Sequence, residues 1–390
     1  MKKPIFIIIS AVIVVTLALI WAYLLFFGTP QSAQDVFSDL NLGGEKDTSI
    51  VEQIPVEVEI PVVNVERPAL RQLTTKVVAG FREIEGTDSP TIYYSEKGTG
   101  HIYSIDLTTG EEVRISGTTV PGVYTSSISP NGDYVAMGIK SNTKNTPLVL
   151  GRLSSSTEEG LIMENFNISV EQFTIEDGTE LLYTSPGETG QIGYSYNFER
   201  GTKKMIFELP FHEVIVQWGE QSDATHYFYP KSSYLLEGYL YQVKNKKISR
   251  LPAEGYGFTG LVNDEIITYT KFTDLKTKNF IYNRKTNETS SVLTSFLPEK
   301  CVLGVTNNLI CAYENINMPI GYPDNWYQGT LNLKDSLWLV SGNNLSVELL
   351  VDTYAESDRE IDITNLNIGE SEIGVYFINK NDNTLWMYEL

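Results

Sequence analysis

Four residues suited to molecular recognition lie close together in the stretch NINMPIGYPDNWYQGT, residues 315–330. Tyr322, Trp326 and Tyr327 carry large rings that provide contact area at a small cost in conformational entropy, and Asp324 adds a charged acceptor. Such a set is typical of a surface that binds another macromolecule. The alternative is that the loop packs on its own domain with its rings buried.

Residues suited to catalysis or metal binding are not clustered in the sequence. The three histidines, His101, His212 and His226, are far apart, which predicts no metal site. The chain has no Gly-x-Ser-x-Gly segment, and scattered acids such as Glu299 could meet only through the fold. The sequence therefore nominates no catalytic residue and no cofactor.

The two cysteines, Cys301 and Cys311, lie in one predicted hairpin. If Asn307 and Asn308 form a two-residue turn, Cys311 faces Gly304 and the two thiols point to opposite faces of the sheet. The even count, together with an oxidising compartment, favours a disulfide instead. A disulfide and a pair of buried free thiols both remain open at this point.

The N-terminus carries the clearest indication of location. Residues 5–27 form an apolar run that starts with Ile5 and ends with Phe27, and Lys2 and Lys3 precede it. A helix of this length crosses the hydrocarbon layer of a bilayer, and a signal peptide, the alternative, has a shorter apolar region. The positive-inside rule predicts an N-terminus in the cytoplasm and the rest of the chain outside, either periplasmic or at the cell surface.

Residues 28–68 are predicted to form an extended stalk. They contain eight acidic residues, and Pro55, Pro61 and Pro68 interrupt an alternation of Val and Glu. Proline at this spacing favours extended backbone over helix, although the alternating segment could also pair as an edge strand. The formal net charge of −20 argues against nucleic acid as a partner and against docking of the folded part on anionic lipid.

From residue 69 onward, short runs rich in Tyr, Val, Ile and Thr alternate with Gly, Asn, Asp and Ser clusters, which is typical of an all-β chain. A strand–turn–strand unit recurs, and successive turn centres are 46, 45, 45, 41 and 56 residues apart. A seventh unit, NTLWMYEL, stops at the C-terminus before its turn, and a strand from Leu70 to Leu73 could complete it. We therefore predict a seven-bladed β-propeller closed by its N-terminal strand, with an open β-solenoid as the alternative. The turn centres are Thr109, Ser155, Arg200, Asn245, Thr286 and Gly342.

The segment SISPNGDYVAMGI contains a tight turn between two predicted strands. At Ser129, Pro130, Asn131 and Gly132 the chain resembles the TolB-type, WD40-like (PD40) repeats, whose Ser-Pro-Asp-Gly turn precedes an apolar strand. It also resembles membrane-anchored propellers of bacterial envelopes. The resemblance implies a rigid recognition platform outside the cytoplasm and transfers no catalytic residue.

Together these features predict a single-pass membrane protein with an extracytoplasmic propeller. Its expected function is to act as a binding scaffold for a protein or an envelope polymer, with residues 5–27 in the lipid bilayer. The alternative is an extracytoplasmic propeller hydrolase that acts on glycan or peptide. Carboxylates that converge at one end of the propeller would favour the hydrolase.

Overall fold

The computed structural model describes residues 68–141, 146–153, 161–274, 276–304, 307–316, 318–369 and 371–390. The expected membrane span at residues 5–27 lies outside these residues, as does the expected stalk except for residue 68. Within the described ranges, no helix has both the length and the apolar character needed to cross a membrane.

The strands form seven antiparallel sheets of four strands each, and successive sheets follow one another along the chain. This is the predicted seven-bladed β-propeller. The sheets, called blades here, are blade 1, β2 (Val78–Ile84), β3 (Thr91–Glu96), β4 (Ile102–Asp106) and β5 (Glu112–Ser116); blade 2, β6 (Val123–Ile128), β7 (Tyr134–Ile139), β8 (Thr146–Leu153) and β9 (Leu161–Val170); blade 3, β10 (Phe173–Ile175), β11 (Glu180–Pro186), β12 (Gln191–Asn197) and β13 (Thr202–Leu209); blade 4, β14 (Val214–Gln217), β15 (His226–Pro230), β16 (Glu237–Lys244) and β17 (Lys247–Tyr256); blade 5, β18 (Thr259–Val262), β19 (Ile266–Thr273), β20 (Lys276–Asn283) and β21 (Glu288–Val292); blade 6, β22 (Cys301–Leu303), β23 (Asn308–Tyr313), β24 (Ser336–Ser341) and β25 (Val347–Val351); and blade 7, β26 (Ile363–Ile368), β27 (Gly374–Asn379), β28 (Leu385–Glu389) and β1 (Leu70–Gln72).

The ring closes where the two ends of the described chain meet in blade 7. Strand β1 pairs with β28 in antiparallel register, with Leu70 opposite Tyr388 and Gln72 opposite Trp386. An ion pair of 2.9 Å between Arg71 and Glu389 lies beside this seam. The N-terminal strand therefore supplies the outer strand of the last blade, as the sequence predicts, and the seam removes an exposed sheet edge.

The hydrophobic core lies between neighbouring blades. One cluster combines Ile84 and Ile102 of blade 1 with Val123 and Val135 of blade 2, all of them buried. Each sheet thus has a neighbour on both faces, which explains strands such as β27, whose residues are buried throughout. Residues from adjacent blades stabilise one another, so the blades depend on the closed ring.

Glutamine side chains form hydrogen bonds with backbone groups on the unpaired edge of the innermost strands. The Gln217 amide Nε2 donates to the Val262 carbonyl at 2.5 Å, and its Oε1 accepts from the Val262 N–H at 2.9 Å. Gln172 joins in the same way to the backbone of Val214 and Val216. These contacts imitate a strand pairing from one blade to the next, since a backbone edge facing the channel needs hydrogen-bond partners.

The turn in SISPNGDYVAMGI joins the innermost strand of blade 2 to its second strand. The Ser129 hydroxyl donates to Asn131 Oδ1 at 2.7 Å and accepts from the Tyr134 N–H at 2.9 Å. Gly132 has a φ of +75°, a conformation that glycine adopts without steric cost. Turns at Asp177 and Asn263 occupy the same place in blades 3 and 5, so the motif is a repeated frame element.

A disulfide joins Cys301 and Cys311, which lie directly opposite each other on β22 and β23. The expected register, with Cys311 opposite Gly304, is wrong. The Gly304 N–H donates to the Asn308 carbonyl, so Gly304 pairs with Asn308 and not with Cys311. The pairing shifts by three residues, an odd number, which brings both sulfur atoms to the same face.

Candidate functional site

The two ends of the central channel differ in how they are built. Each blade starts from its innermost strand, so these strands all begin at one end of the ring and finish at the other. We call the first end the cap end, because residues 314–335 between β23 and β24 cover part of it. We call the second end, where the hairpins described above lie, the channel mouth.

The aromatic residues expected to bind a partner lie at the cap end, where Tyr322 and Trp326 are buried and Tyr327 is partly buried. Tyr322 is 1% exposed and Trp326 is 7% exposed, and both pack with Leu297 and Leu333. The two rings are thus packed as in the alternative that the sequence leaves open, a loop that packs on its own domain with its rings buried. The physical reason is that Tyr322, Trp326 and Leu333 are buried more favourably against the end of the ring than in water.

The polar members of the expected site also have partners within the chain. The Asp324 carboxylate accepts from the Ser233 hydroxyl at 2.8 Å and from the Tyr234 N–H at 3.0 Å. The Tyr327 hydroxyl donates to Glu299 Oε1 at 2.7 Å. These bonds tie the loop to blade 4 and to the short helix of type 3-10 at Pro298–Lys300.

Glu299 is one of the scattered acids that the sequence could not place. The Tyr229 hydroxyl of blade 4 donates to Glu299 Oε1 at 2.8 Å. Tyr229 and Tyr327 therefore share one carboxylate oxygen. Burial raises the pKa of Glu299, although both tyrosine hydrogen bonds act in the opposite direction. The arrangement holds the loop and leaves no space for a substrate between these three groups, so we assign it a structural role.

A buried group of charges fastens the cap loop to blade 7. Lys300 forms ion pairs with Asp335 and, at 2.9 Å, with Asp362, and all three side chains are at most 1% exposed. Asp362 also accepts from the Trp326 indole N–H at 3.0 Å, and the Lys380 ammonium donates to the Trp326 carbonyl at 2.8 Å. Burial raises the pKa of Asp335 to about 6, while the Lys300 charge acts to lower it.

The channel mouth contains a cavity of about 180 Å³. It lies among the innermost strands of blades 1, 3 and 7, and both charged and aromatic residues line it. Seven-bladed rings leave a gap at the centre, and the ends of such channels are common places for ligands. The lining residues are Phe81, Arg82, Glu83, Glu176, Asn367, Ile368, Gly369 and Tyr376.

Arg82 extends from blade 1 toward blade 3 at the channel mouth. Its guanidinium lies 3.5 Å from Glu176 Oε2 and 3.4 Å from the Glu176 carbonyl oxygen. Both distances are longer than the roughly 2.7–2.9 Å that is typical of a charge-assisted hydrogen bond. A guanidinium with five donors therefore retains capacity to bind a further acceptor.

Glu83 is the most unusual residue of the cavity. It is 6% exposed, and its Oε2 has no hydrogen-bond partner among the described residues. Gly369 of blade 7 lies against it so closely that a methyl group there would overlap with Oε2. A buried carboxylate oxygen without a donor is costly, so a donor that reaches Oε2 would stabilise it.

Tyr376 forms the wall next to Glu83. Its ring is 1% exposed, and its hydroxyl makes no bond of hydrogen-bond geometry with the described residues. Burial raises the pKa of Tyr376, and the nearby Glu83 charge raises it further. The hydroxyl thus stays protonated and can donate to an acceptor.

Sequence reasoning missed this cavity. Arg82 and Glu83 lie in the strand VAGFREI, where a charged residue in an otherwise buried strand was the available signal. Glu176 and Gly369 follow strands of other blades, so their approach to Glu83 depends on the closure of the ring. Among the described residues, no three His, Cys, Asp or Glu side chains are placed to hold a metal ion.

No protein-family model matches the chain, and no curated protein matches its sequence. Solved structures share its architecture. An oligogalacturonate lyase from Vibrio parahaemolyticus superposes with a TM-score of 0.54 at 13% identity, covering 82% of this chain and 93% of that one. An oligogalacturonate lyase in complex with manganese gives 0.56 at 13% identity, with the same coverage of 82% and 93%. The propeller domain of Cps50 (Swd1) from Myceliophteria thermophila gives 0.52 at 9% identity, covering 82% and 99%.

These similarities are similarities of fold. The chain is a seven-bladed β-propeller. Because propellers serve many unrelated functions, the cavity at the channel mouth has to supply the argument about what this one does.

Proposed function

We propose that the protein is a single-pass membrane protein with a TolB-type propeller outside the cytoplasm, which binds a partner protein at its channel mouth. The observation that carries the proposal is the buried Oε2 of Glu83, which lines the cavity without a hydrogen-bond donor among the described residues. The turn at Ser129, Pro130, Asn131 and Gly132 supports the TolB-type assignment. The Ser129 hydroxyl bonds to the Asn131 side chain and to the Tyr134 N–H, which explains why serine and asparagine occupy these positions of the turn.

Binding accounts for the channel mouth better than chemistry does. Glu83 is enclosed by Gly369 and Tyr376, and the second carboxylate, Glu176, is occupied by Arg82 and by the Thr174 hydroxyl, which donates at 2.7 Å. Neither arrangement prepares a nucleophile next to a base. A rigid ring with a small polar cavity is well suited to recognition, since its groups are already in position.

A glycan-acting enzyme is the second candidate. Its support is that two of the similar structures are named oligogalacturonate lyases. Arg82 and Tyr376 would then be the groups that meet an acidic sugar, with Glu83 and Glu176 as the carboxylates of the site. Incubation with oligogalacturonate would test this candidate, because elimination creates an unsaturated product that absorbs ultraviolet light.

The membrane anchor can be tested by alkaline extraction of cell membranes. We expect the full-length protein to stay in the pellet, because residues 5–27 are long enough and apolar enough to span the bilayer. The double variant Leu17→Arg and Leu19→Arg is expected to move to the supernatant, since each arginine costs about 2.5–3.5 kcal/mol at the centre of a span. The control is Val36→Arg, outside the apolar run. Extraction of the unaltered protein would contradict the proposal.

The binding site can be tested by crosslinking on intact cells followed by mass spectrometry. We expect a specific partner to be captured by the full-length protein and by Leu293→Trp, a change at a side chain that is 98% exposed and follows the last strand of blade 5 at the cap end. Asn367→Trp fills the cavity and is expected to abolish that capture. Equal capture by both variants, with the same thermal stability, would remove the channel mouth as the binding site.

A further inference from the structure

The Glu83 carboxylate has capacity for a further hydrogen-bond donor. It is nine-tenths buried, and the described residues supply no partner for its Oε2. Gly369 offers it no side chain, and the Tyr376 hydroxyl lies near enough to Glu83 for the two groups to interact but does not reach hydrogen-bond geometry with Oε2. A ligand that binds here gains most from a strong donor at this position.

The charges around the cavity favour a cation. Arg82 contributes one positive charge, and Glu83 and Glu176 contribute two negative charges, so the ionised lining carries a net charge of −1. Arg82 already faces Glu176, which leaves the Glu83 charge uncompensated among the lining groups. The whole chain has a formal charge of −20, which attracts basic partners over a longer range.

The shape of the cavity favours a slender group. Its volume is about 180 Å³, and the Glu83 carboxylate is buried at its wall between Gly369 and Tyr376. A linear chain of methylene groups can pass the Phe81 and Tyr376 rings and bring a terminal charge to the carboxylate. Aromatic rings also attract a cation directly. A sugar ring is broader and brings hydroxyl groups that are weaker donors than an ammonium.

We infer that the channel mouth receives the side chain of a lysine displayed by the partner protein, and that Glu83 binds its ammonium. This rests on the proposed function, since it specifies the group that the same cavity recognises. Phe81 and Tyr376 contact the methylene stem, and the Arg82 guanidinium uses a remaining N–H to donate to a backbone carbonyl of the partner. The lysine remains protonated, and no bond is formed or broken.

The test uses full-length protein in detergent micelles and the probe Nα-acetyl-lysine N-methylamide, followed by saturation-transfer NMR. We expect transfer to the side-chain methylene protons of the probe and no transfer to its Nε-acetylated form, which has no charge. Glu83→Gln is expected to weaken binding of the probe at least tenfold, in line with a hydrogen bond to a charged group. Glu85→Gln is the matched control, because Glu85 loses the same charge two residues away, at an exposed position in the turn that follows β2, and it is expected to change the affinity less than twofold.

The outcomes separate this inference from the proposed function. If the lysine probe does not bind the unaltered protein, or binds Glu83→Gln equally well, the inference is overturned. If Asn367→Trp still abolishes capture on cells in that case, the channel mouth stands as a binding site for a different group. Stronger transfer to glucosamine or galacturonate than to the lysine probe would also overturn the inference. If Glu83→Gln fails to fold, Asn367→Trp takes its place as the test, because it fills the cavity without a change of charge. Loss of probe binding in Asn367→Trp then supports the same cavity.

Discussion

Replacing Lys300 by Met is expected to lower the free energy of unfolding by about 3–5 kcal/mol. The change removes the cation that Asp335 and Asp362 share, and both carboxylates are fully buried. Asp335 then has no counterion and Asp362 keeps only the Lys380 ammonium, at 3.7 Å. Neither carboxylate can be rehydrated unless the cap loop opens, because Asp362 also holds the Trp326 indole. Chemical denaturation followed by tryptophan fluorescence measures the loss, and Trp326 is one of the five tryptophans that contribute to the signal.

The matched control for this prediction is Lys334→Met. Lys334 pairs with Glu360 through side chains that are both more than half exposed, at 51% and 58%, so its loss is expected to cost at most about 1 kcal/mol. A similar cost for the two variants would show that the Lys300 cluster does not hold the loop. The triple variant Lys300→Met, Asp335→Asn and Asp362→Asn should recover part of the stability, because it removes the unpaired charges together with the cation.

Changing both Cys301 and Cys311 to Ala is expected to lower the free energy of unfolding by about 2–4 kcal/mol. The disulfide closes a loop with a sequence separation of 10, which limits the freedom of the unfolded chain. Both residues are buried, at 7% and 0% exposure, so the variant also loses packing between blades 5 and 6. The midpoint of denaturation, measured with and without reductant, gives the difference.

The variant itself provides the control for the disulfide. Reductant should destabilise the unaltered protein and leave the double alanine variant unchanged. Alkylation of intact cells before lysis, followed by mass spectrometry, shows whether the bond exists in place. Two alkylated cysteines in the folded protein would contradict the prediction and would also count against a location outside the cytoplasm.

The architecture was predictable because it repeats. Each strand–turn–strand unit carries its own local pattern, and the truncated last unit indicates that Leu70 must complete it. Hairpin turns at Gly132 and Asn263 are also local, since their backbone conformations depend on the residues within the turn. Tertiary packing could then select a ring because only closure satisfies the free edges at both ends of the chain.

The register of the Cys301 hairpin could not be predicted from the turn propensity of its own residues. A turn at Asn307 and Asn308 is favourable by itself, yet the packing of β22 and β23 between blades selects a different pairing. A shift of three residues decides which face every side chain of the strand occupies. The correct register therefore depends on contacts that the hairpin sequence does not contain.

The candidate sites differ in the same way. The sequence singled out Tyr322 and Trp326 by residue type, but exposure is a property of the folded ring, and the ring buries both side chains. It passed over Glu83, because a single glutamate in a strand has no distinguishing neighbours along the chain. Its surroundings come from Gly369 and Tyr376, almost 300 residues away.

The sequence alone determined the all-β architecture, the number of blades and their closure, since these follow from periodic patterns that each unit carries locally. Only the tertiary structure decided which polar groups meet at the channel mouth and which charges the cap loop buries. Those contacts join blades that are distant in sequence, and their energies depend on burial and on direction of approach. No spacing along the chain records either quantity.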